Sequence, residues 1–147
     1  VLKGSPMAAW YAEGKYNPLP LDAAVEQVKG LYRFFREKSI PVIRMGLQAS
    51  EELDSEDTVQ AGPYHPAFGQ LVLSSIWLDK ASDLLTSEKN RNEKALFFVR
   101  PENISNLRGQ KNSNIKDLMH RFHLKAIDVK PDEELADEDI RIEWKAV

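Results

Sequence analysis

The stretch LDAAVEQVKGLYRFFREKSIPVIRMGLQ, residues 21–48, decides how the first half of this chain is read. Leu21, Ala24, Val25, Val28, Leu31, Tyr32 and Phe35 recur at the three- and four-residue spacing of a helix with one buried stripe. Pro20 suits the first helical position, and Asp22 and Glu26 complement the positive end of a helix. The spacing therefore predicts a helix from Leu21 to Lys38. Ser39 breaks the pattern, and Ile40 to Gln48 reads as a strand. Upstream, Val1-Leu2 followed by Lys3-Gly4-Ser5-Pro6 reads as the end of a strand and a turn. Strand, helix and strand in that order make a β-α-β unit, two parallel strands of an α/β sheet. The opening at Val1, without Met, reads as a start inside a structural element, so the chain is expected to be a fragment of a longer protein.

Working outward, Met7 to Ala12 is a short helical stretch that Gly14 ends, and Pro18 and Pro20 punctuate the loop that follows. The acidic run from Glu51 to Asp57 reads as a solvated loop. The turn Ala61-Gly62-Pro63-Tyr64-His65-Pro66 opens a strongly apolar helix from about Ala67 to Leu85. A hydrophilic linker over residues 87–93 separates a first part, 1–86, from a second module, 94–147. In that module Ala95 to Arg100 reads as a strand, Pro101 to Leu107 as a short helix, and Arg108 to Asn112 as a turn. Ser113 caps a helix to about Phe122, and strands follow at Lys125 to Val129 and Ile140 to Trp144. The order is β-α-α-β-β, and the fold class is mixed α+β and α/β.

The 147 residues allow one domain or one and a half small ones, not a complete large enzyme. With 42% hydrophobic and 29% charged residues the chain is globular, and its length buries a core without disulfides. It has no cysteine, which excludes disulfides, zinc-thiolate sites and any iron–sulfur cluster held by its own thiolates. That fits a reducing compartment, and a cytoplasmic location is expected. No apolar run is long enough for a membrane helix, so no membrane partner is expected.

His120 and His123 lie three apart at a helix end but lack further ligands, so no metal site is expected. His65, between Tyr64 and Pro66, reads as a turn histidine bonded to backbone, with ligand contact the alternative. Between Arg108 and Lys125 five cations (Arg108, Lys111, Lys116, Arg121, Lys125) meet one acid, Asp117. A basic turn before a helix can hold phosphates; an ordinary charged helix face is the plainer reading. Six acids between Asp132 and Asp139 are expected near this patch as its salt-bridge partners. No nucleophile elbow, phosphate loop or paired-carboxylate signature occurs.

Leu2-Lys3-Gly4-Ser5-Pro6-Met7, Tyr11-Ala12-Glu13-Gly14-Lys15-Tyr16, Pro18-Leu19 with the helix after it, and Val42-Ile43-Arg44-Met45-Gly46-Leu47-Gln48 occur in this order. Together they resemble the closing part of a radical S-adenosylmethionine enzyme domain. The type they are most similar to is the bacterial group resembling the Elongator catalytic subunit, grouped with coproporphyrinogen-oxidase-like proteins. Gly62-Pro63-Tyr64-His65-Pro66-Ala67-Phe68 looks like the turn that follows the barrel in that group. The resemblance covers roughly residues 1–80. It implies the remnant of a partial (β/α) barrel, whose preceding part would carry a CxxxCxxC loop, a [4Fe-4S] cluster and S-adenosylmethionine. Without cysteine this chain cannot hold that cluster, and it is expected to be inactive alone.

In barrel enzymes ligand contacts gather at the C-terminal ends of strands. The resemblance thus makes Lys3, Ser5, Arg44, Gly46 and Gln48, and then His65, candidates for the cofactor or substrate side. No catalytic residue is assigned. Ile104 to Ile115 resembles a degenerate KH-domain core, a G-x-x-G loop in which Asn112 replaces the second glycine. Arg108, Gly109, Lys111, Asn112 and Lys116 are then candidate RNA-binding residues. The implied partners are the N-terminal part of the same protein and RNA, including transfer RNA. A purely structural or self-associating role for the last third is the third alternative.

Overall fold

The computed structural model describes residues 1–48, 50–54, 57–88 and 93–145. Two compact units emerge, Val1–Val72 and Leu73–Val147. Of the expected linker over 87–93, residues 89–92 lie outside the described residues.

The first unit carries α1 (Pro6–Ala12), α2 (Leu21–Glu37) and a short α3 (Glu51–Asp54). The fourth helix, α4 (Phe68–Ser87), starts within it. Ser5 starts α1: its Oγ accepts from the Ala8 N–H at 3.3 Å and donates to the Leu2 carbonyl at 2.7 Å. Pro20 is the N-cap of α2 rather than its first helical residue. The apolar stripe of α2 is fully buried only near its start: Ala24 and Val25 are buried, whereas Leu31 is 50% and Phe35 37% exposed. Nor does the β-α-β unit form among the described residues. Leu2 makes one isolated antiparallel bridge to Val59, and Ile40 to Gln48 belongs to no ladder. A strand needs a neighbour for its amides and carbonyls, and this unit supplies none there.

The second unit holds the rest of α4, β1 (Lys94–Val99), α5 (Ile104–Arg108), α6 (Ser113–Phe122), β2 (Ala126–Pro131) and β3 (Arg141–Lys145). Single 3₁₀ turns at Pro101–Asn103 and Gln110–Asn112 precede α5 and α6. The β-α-α-β-β order and the mixed α+β class are as expected. The sheet order is β2-β1-β3, with β1 parallel to β2 and antiparallel to β3. Central position explains the apolar run of β1: Ala95, Leu96, Phe97 and Val99 are all at most 2% exposed. Phe97 sits in register with Val129 and Ile142, and packs in one core with Trp77, Ala81 and Leu85 of α4 and Leu107 and Leu118 of α5 and α6. Phe98 points to the other face, where the Arg141 guanidinium lies 4.0 Å from its ring centre.

Ser113 is the first residue of α6, and Asn112, in the left-handed region at φ 59°, is its N-cap without a side-chain capping bond. The buried Asn114 donates its Nδ2 to the Ser74 carbonyl at 2.8 Å and the Asn106 carbonyl at 3.3 Å, tying α4, α5 and α6 together.

Candidate functional site

Within the first unit the backbone of Val1 to Lys3 runs antiparallel to that of Thr58 to Ala61. Lys3 donates to the Thr58 carbonyl at 3.0 Å, and Gln60 donates to that of Val1 at 2.9 Å. This pairing, the start of α2 and the turn before α4 line a half-open pocket of about 400 Å³. Its wall is almost wholly apolar: Leu19, Ala24, Val28, Leu47, Val59 and Phe68 supply most of it. Gln27, Tyr64 and His65 are also among its lining residues.

Two of the candidate residues meet at this cavity, Gly46 and His65. Gly46 adopts φ 79°, and a Cβ there would stand 2.9 Å from the Phe68 Cδ1, so only glycine lets the chain pass against that ring. His65 Nδ1 accepts from the Ala67 N–H at 3.0 Å, which fixes the turn ahead of α4. With Nδ1 engaged as an acceptor, the neutral ring carries its proton on Nε2 and has that N–H to offer. The turn reading of His65 and its place on a cavity wall therefore coexist.

The other four candidates are engaged outside the cavity wall. Lys3 Nζ meets Asp57 Oδ1 at 2.9 Å, and that ammonium holds the Asp57 carboxyl below the ordinary aspartate range, first through the hydrogen bond and then through charge. Ser5 caps α1. Arg44 donates to Gln48 Oε1 at 3.0 Å. The sequence reading missed the apolar wall, because Leu19, Leu47 and Val59 lie outside any periodic run and come together only through the turns.

In the second unit the basic segment divides. Arg121 pairs with Asp117 one helical turn away, and Lys125 with Glu93 at 2.6 Å. Arg108, Lys111 and Lys116 are exposed and have no acidic partner among the described residues. Among the described residues none of the acids at 132–139 pairs with these three cations, and two of them are paired elsewhere. Asp132 pairs with Arg141 at 3.0 Å, which holds the Asp132 carboxyl below its ordinary range. Glu138 pairs with Lys80 at 3.0 Å, and the Asp137 carbonyl accepts from Asn103 Nδ2 at 2.5 Å. Gly109 (φ 69°), Lys111 (φ 52°) and Asn112 (φ 59°) fold the basic turn tightly over the start of α6. His120 and His123 are exposed at the end of α6, as expected, with His123 its left-handed C-cap. No helix among the described residues is long and apolar enough to cross a membrane.

Residues 1–77 match the family described as Radical_SAM C-terminal domain. No curated protein and no solved structure matches the chain. The family implies a [4Fe-4S] cluster and S-adenosylmethionine. Such a cluster is held by thiolates, and this chain has no cysteine. Nor do three or more His, Asp or Glu side chains gather as a metal site among the described residues. The residues present do not fit the cluster, so its ligands are not on this chain. With more than half of its 147 residues inside the match, the chain belongs to the Radical_SAM C-terminal domain family.

Proposed function

We propose that this chain is the C-terminal part of an Elongator-like radical S-adenosylmethionine enzyme, and that it docks on and shields a catalytic domain that holds the cluster. On this reading it initiates no radical chemistry alone. Gly46 and His65, at the cavity, and Lys3, Ser5, Arg44 and Gln48 near it in sequence are the residues facing the cofactor or substrate side. One observation carries the reading. Among the described residues the exposed large apolar side chains, from Leu2 to Leu47, all fall inside the matched stretch, and Leu31, Phe34 and Phe35 follow one another along the open half of α2. Contiguous exposed apolar surface of this kind marks an interaction face.

The test is Leu31→Asp combined with Phe34→Asp. Both side chains are half-exposed, so the circular dichroism spectrum should not change. Each has about half its surface left to bury, so the pair is worth about 1.5–3 kcal/mol at an interface, and binding to the catalytic domain should weaken by at least about 10-fold. Unchanged binding by calorimetry would remove the docking reading.

A second reading is favoured by Arg108, Lys111 and Lys116, which have no acidic partner among the described residues, while Asp132 and Glu138 pair with Arg141 and Lys80. On it the second unit binds single-stranded RNA, as in a KH-like module, and presents a transfer RNA to the catalytic domain. Three phosphate contacts on a single strand give a slope of log K against log salt of about −2. Lys111→Glu with Lys116→Glu should weaken binding and cut that slope to about −0.7 or less in magnitude in a filter-binding titration. A wild-type chain that shows no salt-sensitive binding leaves the second unit a structural or self-associating module.

A further inference from the structure

The sheet of the second unit ends on β3, and no described residue pairs with the outer edge of that strand. Every second residue of an antiparallel strand turns its N–H and C=O away from its neighbour. On Arg141–Lys145 those groups meet no backbone donor or acceptor among the described residues. The side chains alternate as well. Ile142 and Trp144, with Ile140 just before them, pack against the core and are half-buried, while Arg141, Glu143 and Lys145 are exposed. One edge therefore keeps both apolar surface and backbone groups to satisfy, the combination that invites another strand. The opposite edge offers less: on β2, Val129 is already buried and Pro131 has no N–H to donate.

The charges on β3 decide what can pair with it. Residues directly opposite in an antiparallel pair share one face, and a slip of one residue would turn the apolar set over. A second β3 must therefore set odd-numbered residues against odd ones. With Ile142 opposite Ile142 of a second copy, Arg141 faces Glu143, Ile140 faces Trp144 and Asp139 faces Lys145, each pair occurring on both sides of the axis. Every charged pair is then of opposite sign, and every other pair is apolar. Centring on Glu143 instead sets Glu143 against itself and Arg141 against Lys145. Centring on Arg141 sets Arg141 against itself and Asp139 against Glu143. Like charges directly opposite are destabilising, so the register centred on Ile142 is selected. Arg141 and Glu143 already pair along their own strand, and with their copies they make an alternating cluster of four charges.

We propose that β3 is a self-pairing edge, through which two copies of this chain join their three-stranded sheets into one. The contact uses only the second unit and requires neither docking on a catalytic domain nor RNA binding.

Charge exchange on the whole chain tests it. In sedimentation velocity the wild-type chain should dimerise as its concentration rises. Glu143→Arg alone, or Arg141→Glu alone, gathers four like charges at the axis, and each should weaken the dimer by at least about 10-fold. An equimolar mixture of the two variants should restore it, because opposite charges again face each other at both positions. Arg141 also holds Asp132 and lies over Phe98, so R141E can lose its fold. Asp139→Lys and Lys145→Asp repeat the exchange at exposed side chains with no ion pair among the described residues. The register is read separately. Since the chain has no cysteine, Ile142→Cys should give a disulfide-linked dimer on mild oxidation, and Glu143→Cys far less of one. A wild-type chain that stays monomeric at about 1 mM overturns the proposal. So do dimers indifferent to all four charge substitutions, which would form through another surface, and folded variants whose mixture stays monomeric. Crosslinking through Glu143→Cys in preference to Ile142→Cys removes the register and the charge complementarity with it.

Discussion

Gly109 shows how much a single backbone position decides in this molecule. At φ 69° it sits where only glycine is unstrained, and a Cβ would stand 2.5 Å from Ser113 Oγ and 2.9 Å from the Asn114 Cγ. Asn114 is the buried side chain that joins three helices through two carbonyls, so a displacement there would reach Ser74 and Asn106. Gly109→Ala should cost about 1–3 kcal/mol in urea unfolding, through positive φ and crowding together. Gly30 makes the opposite case. It lies inside α2, its Cβ would meet nothing within 4 Å, and its φ is ordinary for a helix. Gly30→Ala should therefore stabilise α2 by about 0.5–1 kcal/mol. Equal effects of the two substitutions would show that neither local geometry governs the chain.

Elements were legible from the sequence where a residue's own period determines its partner, and illegible where the partner is another segment. The three-and-four spacing from Leu21 onward located α2 to within a residue of its end, since helical hydrogen bonds close within the segment. The turn residues of the second unit located β1, α5, α6 and both edge strands for the same local reason. What periodicity could not say is which part of the stripe is covered: Ala24 and Val25 are buried, whereas Leu31 and Phe35 stay exposed. Nor could it say that Ile40 to Gln48, strand-like in every residue, would lack a ladder. Among the candidate site residues, the reading of His65 as a turn histidine rested on flanking Tyr64 and Pro66, and its Nδ1 does cap that turn. The expected pairing of the acids at 132–139 with the basic turn failed because proximity in sequence is not proximity in space. Of those acids, Asp132 is paired with Arg141 and Glu138 with Lys80.

At the scale of the whole molecule the two units differ in how much core they own. Among the described residues the second unit buries Phe97, Leu85, Leu107, Leu118 and Val99 completely or nearly so, together with Trp77 and Leu96. In the first, the buried apolar residues are Ala24, Val25, Phe68 and Val72, and two of these are small. Apolar burial is the main favourable term in folding, at about 25 cal/mol per Å², so opening free energies should not be shared evenly across the chain. The amides of Ala95 to Val99 should be the slowest to exchange, released only when the second unit unfolds as a whole. Those of α1 and of the last turns of α2 should exchange through smaller openings, at least about 100-fold faster. The tryptophans give an independent probe, because Trp10 is 54% exposed in the first unit and Trp77 is 2% exposed in the second. A urea titration should then show two transitions, with Trp10 reporting the earlier one and Trp77 the later, so a single free energy of unfolding would not describe this chain. Coincident transitions at both tryptophans, with uniform amide protection, would mean that the first unit's sparse core is stabilised as fully as the second's. The open face of α2 would then need no partner to hold it.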